Sequence, residues 1–430
     1  MAPRTPDPSR REFVKAAVAI GGSAALSACL DRESDAATPP GAEPSAHPSR
    51  QHAWNDALTT DEHGNHVPPR HHLLLSLDYA DDGTPTADDR ERAEAAFRSL
   101  ERAFARRNDG LLFTVGYAPA YFERFDASLP DSVDLPAPEA LSPFEDPALD
   151  DPDALVHLAS DRGSALLAAE EGLLGDRSEV NGAEMETDLS GIFAQASLAG
   201  DGRARRTGFI GAGLPAENAE VEGIPDPESV PDDAPLFMGF KSGFEKNQAS
   251  EDRVTIESGP FAGGTTQHVS KLRLRLDDWY GEQDHDDRVA EMFCPVHAED
   301  GRVEGTGENL GDDNGVGECV DDIEEHAREY GRVGHAQKNA RAREDGSPII
   351  LRRDFDSTDG GEAGLHFLAL QEDISDFVAT RSAMNGTDLT DNPAVRQRVN
   401  NGILEYVFVR RRGNFLLPPR EQRALPRPDP

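Results

Sequence analysis

From residue 72 onward the apolar residues recur as short strands and helices in a fixed order, and that order limits the possible folds more than any other property of the chain. Residues 72–79, with Leu73, Leu74, Leu75 and Leu77, read as a buried strand. Residues 88–107 follow with Ala93, Ala96, Phe97, Leu100 and Phe104 at helical spacing, and residues 111–116 form a second strand. A short helix is expected near Pro119, packing Tyr121 and Phe122, before a Pro- and Asp-rich loop over residues 129–152. Residues 154–159 then read as a third strand and 161–174 as a helix with Asp161 at its start. Strand, helix, strand, then strand and helix again is the order of a split βαβ layer. The expected fold class is α+β, with an antiparallel, ferredoxin-like sheet carrying helices on one face.

The second half repeats the theme. Residues 269–276 alternate as a strand, and 284–293 have helical spacing. Residues 349–351 and 365–370 are strands, and 374–384 a helix. Residues 402–409 read as a helix end or a strand, and 414–418 close the unit. Two halves of similar size result, at 70–235 and 236–420. A Pro-, Ala- and His-rich stretch at 30–69 reads as a disordered tether, and 421–430 as a flexible tail.

The first residues carry a different signal. Ser9-Arg10-Arg11-Glu12-Phe13 precedes an uncharged run at 16–28, shorter than the roughly 20 residues a membrane span needs. The run ends in Leu26-Ser27-Ala28-Cys29, so 1–29 reads as a twin-arginine lipoprotein signal peptide with Cys29 lipidated. The expected location is the outer face of the cell membrane, held by the lipid alone. With 43 Lys+Arg against 81 Asp+Glu, the formal charge is -38. Such a surface suits concentrated salt, which screens it, and points to a halophile. The same charge excludes nucleic acid as a partner. Beyond Cys29, only Cys294 and Cys319 remain, and a disulfide or a free pair are both open.

No Walker loop, nucleophile elbow, CxxC pair or HExxH motif is present. An ordered set of segments carries the functional signal instead. These are Phe113-Thr114-Val115-Gly116-Tyr117-Ala118-Pro119, Gly239-Phe240-Lys241-Ser242-Gly243, Val333-Gly334-His335, Leu351-Arg352-Arg353-Asp354-Phe355, Leu404-Glu405-Tyr406 and Asn414-Phe415-Leu416-Leu417-Pro418. In that order and spacing, over about residues 70–420, the chain resembles the dye-decolorising peroxidase family, haem enzymes of two ferredoxin-like domains. The resemblance implies haem b as cofactor, with iron ligated by His335. It implies that Glu405 accepts a hydrogen bond from that imidazole, and that Arg353 reaches over the distal face to stabilise charge on a departing oxygen. Gly239 and Gly243 would shape the distal loop. Hydrogen peroxide and a small or aromatic reductant would be the partners, with the oligomeric state left open. Trp279 and Tyr280 are either an electron relay or packing residues.

The family's distal motif is Gly-x-x-Asp-Gly, and Ser242 holds the Asp position. That aspartate moves a proton between the peroxide oxygens, a step worth about 10²–10⁴-fold. A serine hydroxyl is a poor substitute, and Glu245 is a candidate surrogate. Three readings therefore follow: an exported haem peroxidase, a non-enzymatic haem-binding lipoprotein on the same fold, or a member without haem.

Overall fold

The computed structural model describes residues 37–430. Arg10, Arg11, the apolar run and Cys29 lie outside the described residues. The first half comprises β1 (His71–Tyr79), α1 (Ala87–Ala103), β2 (Leu112–Tyr117), β3 (Ala154–Ser160), α2 (Gly163–Leu173) and β4 (Arg205–Phe209). Its strands lie in the order β2-β3-β1-β4, all antiparallel. Helix α1 starts where Thr86 and Asp89 form a reciprocal capping box, which satisfies two backbone donors.

The second half comprises β5 (Thr265–Leu274), α3 (His285–Met292), α4 (His335–Asn339), β6 (Leu351–Arg352), β7 (Phe355–Ser357), β8 (Gly364–Gln371), α5 (Ile374–Asn385) and β9 (Val407–Leu417). The order β7-β8-β5-β9 is again antiparallel and repeats that of the first half, while β6 pairs with the far end of β8. Both halves are ferredoxin-like, and the fold class is α+β.

The two sheets close on each other. Strand β4 meets β7 at Phe209 and Asp356, and β9 meets β2 at Leu416 and Tyr117. Each junction is a single residue pair, so the ring closes at two points rather than along whole strands. Alternation assigns the two faces of each strand. Leu74, Leu155, Val269, Phe355, Leu368 and Phe415 fill the ring, while Leu73, Leu75, Val156 and Leu158 pack outward beneath Phe97 and Leu100 of α1.

The ends of the chain correct the sequence expectation. Within the supposed tether, Trp54 is 3 % exposed and its indole N–H donates to the Gln51 carbonyl. The Gln51 side chain donates to the carbonyls of Val115 and Pro418 and accepts from the Val115 N–H, sealing the junction of β2 and β9. The supposed tail is also held: Leu425 is fully buried, and its N–H donates to the Tyr117 hydroxyl. Composition suggested disorder in both stretches, but a few apolar anchors and amide bonds to the sheet override it. Among the described residues no helix is long and apolar enough to cross a membrane. Trp54→Ala is expected to cost about 3–5 kcal/mol of unfolding free energy, read from denaturant midpoints; a loss under about 0.5 kcal/mol would restore the tether.

Candidate functional site

A cavity of about 240 Å³ lies on the outward face of the second sheet. Its floor is built from every second residue of three strands: Ser270, Leu272 and Leu274 of β5, Leu365 and Phe367 of β8, Val407 and Val409 of β9. Helices α4 and α5 wall one side, and Leu236, Met238, Phe240 and Phe244 of the 236–247 loop close the other. The lining is mostly apolar, with a few polar groups converging on it, as ligand pockets are built.

His335 begins α4 and faces this cavity. Helix and strand connections fix it tightly. A Cβ on Gly334 would fall 1.8 Å from the Phe293 carbonyl oxygen, and one on Gly402 would fall 2.9 Å from the His335 nitrogen. Only glycine allows the backbone to close around the histidine at both places. Lys338, on the same short helix, donates its three protons to the Met384 and Asn401 carbonyls and the Asn401 side-chain oxygen. The imidazole itself is left under-partnered: Nε2 is 3.1 Å from the Asn339 amide nitrogen, while buried Nδ1 has no hydrogen-bond partner. Burial, aided by the nearby charges of Lys338, Arg352 and Arg381, pulls its pKa down to about 3. His335 thus presents a neutral ring, the form a metal accepts.

Glu405 does not serve this ring. It is absent from the cavity wall, and it interacts with Glu291 and Arg398 instead. The Gly402 backbone occupies the ground directly against His335. Glu291 is 2 % exposed with one carboxylate oxygen unpartnered; burial, reinforced by Glu405 and Asp287, pushes its pKa up to about 7.

Arg353 is likewise turned away from the cavity. Leu351, Arg353 and Phe355 share one face, where the Arg353 guanidinium donates to Asn55 and Glu251 and lies over the Trp54 ring. Its neighbours Arg352 and Asp354 take the other face and line the cavity. The error is one of strand parity, since a shift of one residue exchanges faces. The alternation Leu351, Arg353, Phe355 was the signal that would have found it. Arg352, Asp354 and Ser242 also line a second, smaller cavity of about 50 Å³, so the three residues form the wall between the two spaces. Asp354 and the Arg352 guanidinium make no hydrogen bond or ion pair with the described residues. Glu245 is engaged by His66, 2.8 Å away.

Gly239 and Gly243 have φ of 85° and 80°, so both turns of the distal loop need glycine. Trp279 and Tyr280 pin that loop: the indole N–H donates to the Met238 carbonyl and the phenol to that of Phe237. Trp279 is fully buried, as a packing residue is. Of the cationic side chains around the cavity, Arg381 and Arg412 are held by Glu145, whereas Arg343 and Arg352 face it without a carboxylate partner among the described residues.

The fold is that of the dye-decolorising peroxidases. A dye-decolorizing protein from V. cholerae superimposes with a TM-score of 0.52 at 14% identity, covering 86% of this chain and 98% of that one. DyPB from Rhodococcus jostii RHA1 gives 0.53 at 16%, covering 87% and 98%. A DypB variant from the same organism, in complex with heme, gives 0.51 at 15%, covering 83% and 96%. By sequence, the chain belongs to a family of unknown function (DUF7405), whose model matches residues 69–419. No curated protein matches it.

The raised pKa of Glu291 has a direct thermodynamic consequence. The folded state holds its proton more tightly than the unfolded one, so rising pH costs stability from about 4.5 up to about 7 and no more beyond. Glu291→Gln is expected to stabilise the fold by about 3 kcal/mol at pH 8 and to be neutral below pH ~4.5. Urea titrations at the two pH values check this.

Proposed function

We propose that this chain is a haem-dependent peroxidase that uses hydrogen peroxide to oxidise a small or aromatic donor. The observation that carries it is His335, a neutral, under-partnered imidazole at the wall of an apolar cavity, set in a fold whose solved relatives include a heme complex. The residues present fit such a group. His335 would ligate its iron, apolar side chains would enclose its ring, and Arg343 would answer its carboxylates. A bound haem supplies the two-electron chemistry that splits the peroxide O–O bond.

The chain's own contribution lies at the wall formed by Ser242, Arg352 and Asp354. The Asp354 carboxylate, free of internal partners, takes the peroxide proton from one oxygen and returns it to the other. It thereby fills the role that the replaced motif position, Ser242, has lost. The Arg352 guanidinium stabilises negative charge on the departing oxygen. The floor of leucine, phenylalanine and valine keeps bulk water from competing.

A second reading, a haem-binding protein without turnover, draws support from two observations. Ser242 replaces the usual carboxylate, and no acid accepts a proton from His335 Nδ1 to make the imidazole more electron-donating. For both readings we propose export by the twin-arginine route and a lipid anchor at Cys29 in a high-salt setting.

Haemin added to the protein in molar KCl is expected to give a Soret band that His335→Ala abolishes. Asp354→Asn should keep that band and lower peroxide turnover about 10²-fold. A band that peroxide never changes in the wild-type chain would establish the binding protein instead, and no band would remove both readings.

A further inference from the structure

Beside α4, directly behind the Phe293, Asn314 and Val316 wall of the cavity, lies a second chemical centre. We propose that Cys294, His297 and Cys319, when the two cysteines are reduced, bind one soft closed-shell metal ion, Zn²⁺ or Cu⁺. Cys294 and His297 stand three residues apart at the start of the short helix Pro295–Glu299, and Cys319 ends the 3-10 turn Val316–Cys319. The structure joins the two cysteines as a disulfide. The imidazole Nδ1 lies 3.0 Å from the Cys294 sulfur and 3.5 Å from that of Cys319. One ligand atom from each residue falls within 4.8 Å of the others, and the three residues are 0 %, 1 % and 2 % exposed.

The tautomer of His297 is what turns this cluster into a site. Nε2 sits 2.9 Å from the Asn314 carbonyl oxygen, which only accepts, so Nε2 carries the proton. Nδ1 therefore aims a lone pair at two sulfurs. Disulfide sulfurs carry no hydrogen, so in the oxidised chain that buried lone pair has no donor, a costly arrangement. Metal-binding histidines adopt this same pattern, donating the distal N–H to a backbone carbonyl while the other nitrogen takes the ion. Sulfur and imidazole select soft metals over Mg²⁺ or Ca²⁺. Two thiolates and a neutral imidazole balance Zn²⁺ to zero charge, as a dry pocket requires. Three ligands, with no fourth His, Cys, Asp or Glu in the group, also suit Cu⁺.

The chemistry balances simply. A phosphine takes the oxygen of one water while the two hydrogens go to the sulfurs, or a dithiol gives up its own two hydrogens and becomes a disulfide; either way the bridge becomes two thiols. Binding then exchanges both thiol protons for the ion, and His297 adds its lone pair without proton change. The ion would sit against the helix of His335, because the Gln337 amide donates to the Cys319 carbonyl at 2.6 Å and the Gln337 N–H to that of Phe293 at 3.2 Å. The proposal stands independently of the haem reading.

The test needs no haem. The folded chain is reduced anaerobically with a phosphine, a gain of two free thiols over the air-oxidised chain is verified by alkylation in denaturant, and Zn²⁺ or Cu⁺ is titrated against a chromogenic chelator. One equivalent above the level of the air-oxidised chain is expected for at least one of the two ions. His297→Ala should weaken that equivalent about 10²-fold. Should the variant fail to fold, the reduced and oxidised wild-type chains still decide the matter between them. Equal binding by these two, or undiminished binding by a folded His297→Ala, overturns the site.

Discussion

Two buried carboxylates, Glu145 and Asp150, hold the architecture together. Each is gripped by two guanidinium groups. Asp150 lies 2.5 Å from Arg206 Nη2 and 2.8 Å from Arg411 Nε; Glu145 lies 2.9 Å from Arg412 Nη2 and 3.0 Å from Arg381 Nη2. Arg206 belongs to β4 in the first half, Arg411 and Arg412 to β9 in the second, and Arg381 to α5. The segment carrying the acids also pairs in parallel with β9 through Ala148 and Leu149. A loop rich in proline and aspartate thus straps both sheets and one helix. Such buried clusters hold strongly because the loss of one charge strands the others out of water.

The strap also shapes the cavity. Glu145 holds Arg381 and Arg412 at the cavity wall, which leaves Arg343 and Arg352 as the cations without an acid. Burial and this positive surround keep His335 neutral. The net acidity of the whole chain is inverted here, where Lys338, Arg352 and Arg381 act on one buried histidine. Short-range pairing, rather than net charge, decides the local field.

The long elements were legible because burial on a regular face leaves a period in the sequence. Strand β1, strand β3 and helix α5 lie within one residue of their expected bounds, and helix α1 ends four residues earlier than expected. Strands β4 and β7 were missed for a shared reason. Arg205-Arg206-Thr207-Gly208-Phe209 and Phe355-Asp356-Ser357 are short and polar, and their polar groups are buried by ion pairs and hydrogen bonds that no local pattern reveals. At the site, His335 and Ser242 were found on the cavity wall, while Arg353 and Glu405 were not. The first error came from strand parity. The second came from a backbone approach at Gly402 that depends on an element far away in sequence. Asp354 was quoted within its motif, but its exposure to the cavity needed the parity to be right.

The repeated strand order has a broader meaning. Each half places its strands in the same sequence, and each joins its fourth strand to the second strand of the other. The ring therefore has the geometry of a symmetric dimer written into one polypeptide. In a true dimer, identical chains must share every compromise between packing and chemistry. Here the copies have diverged: Phe97, Leu100 and Phe104 fill the space above the first sheet, while the second sheet keeps its hollow. Fusion lets one copy serve as foundation and leaves the other free to change its chemistry.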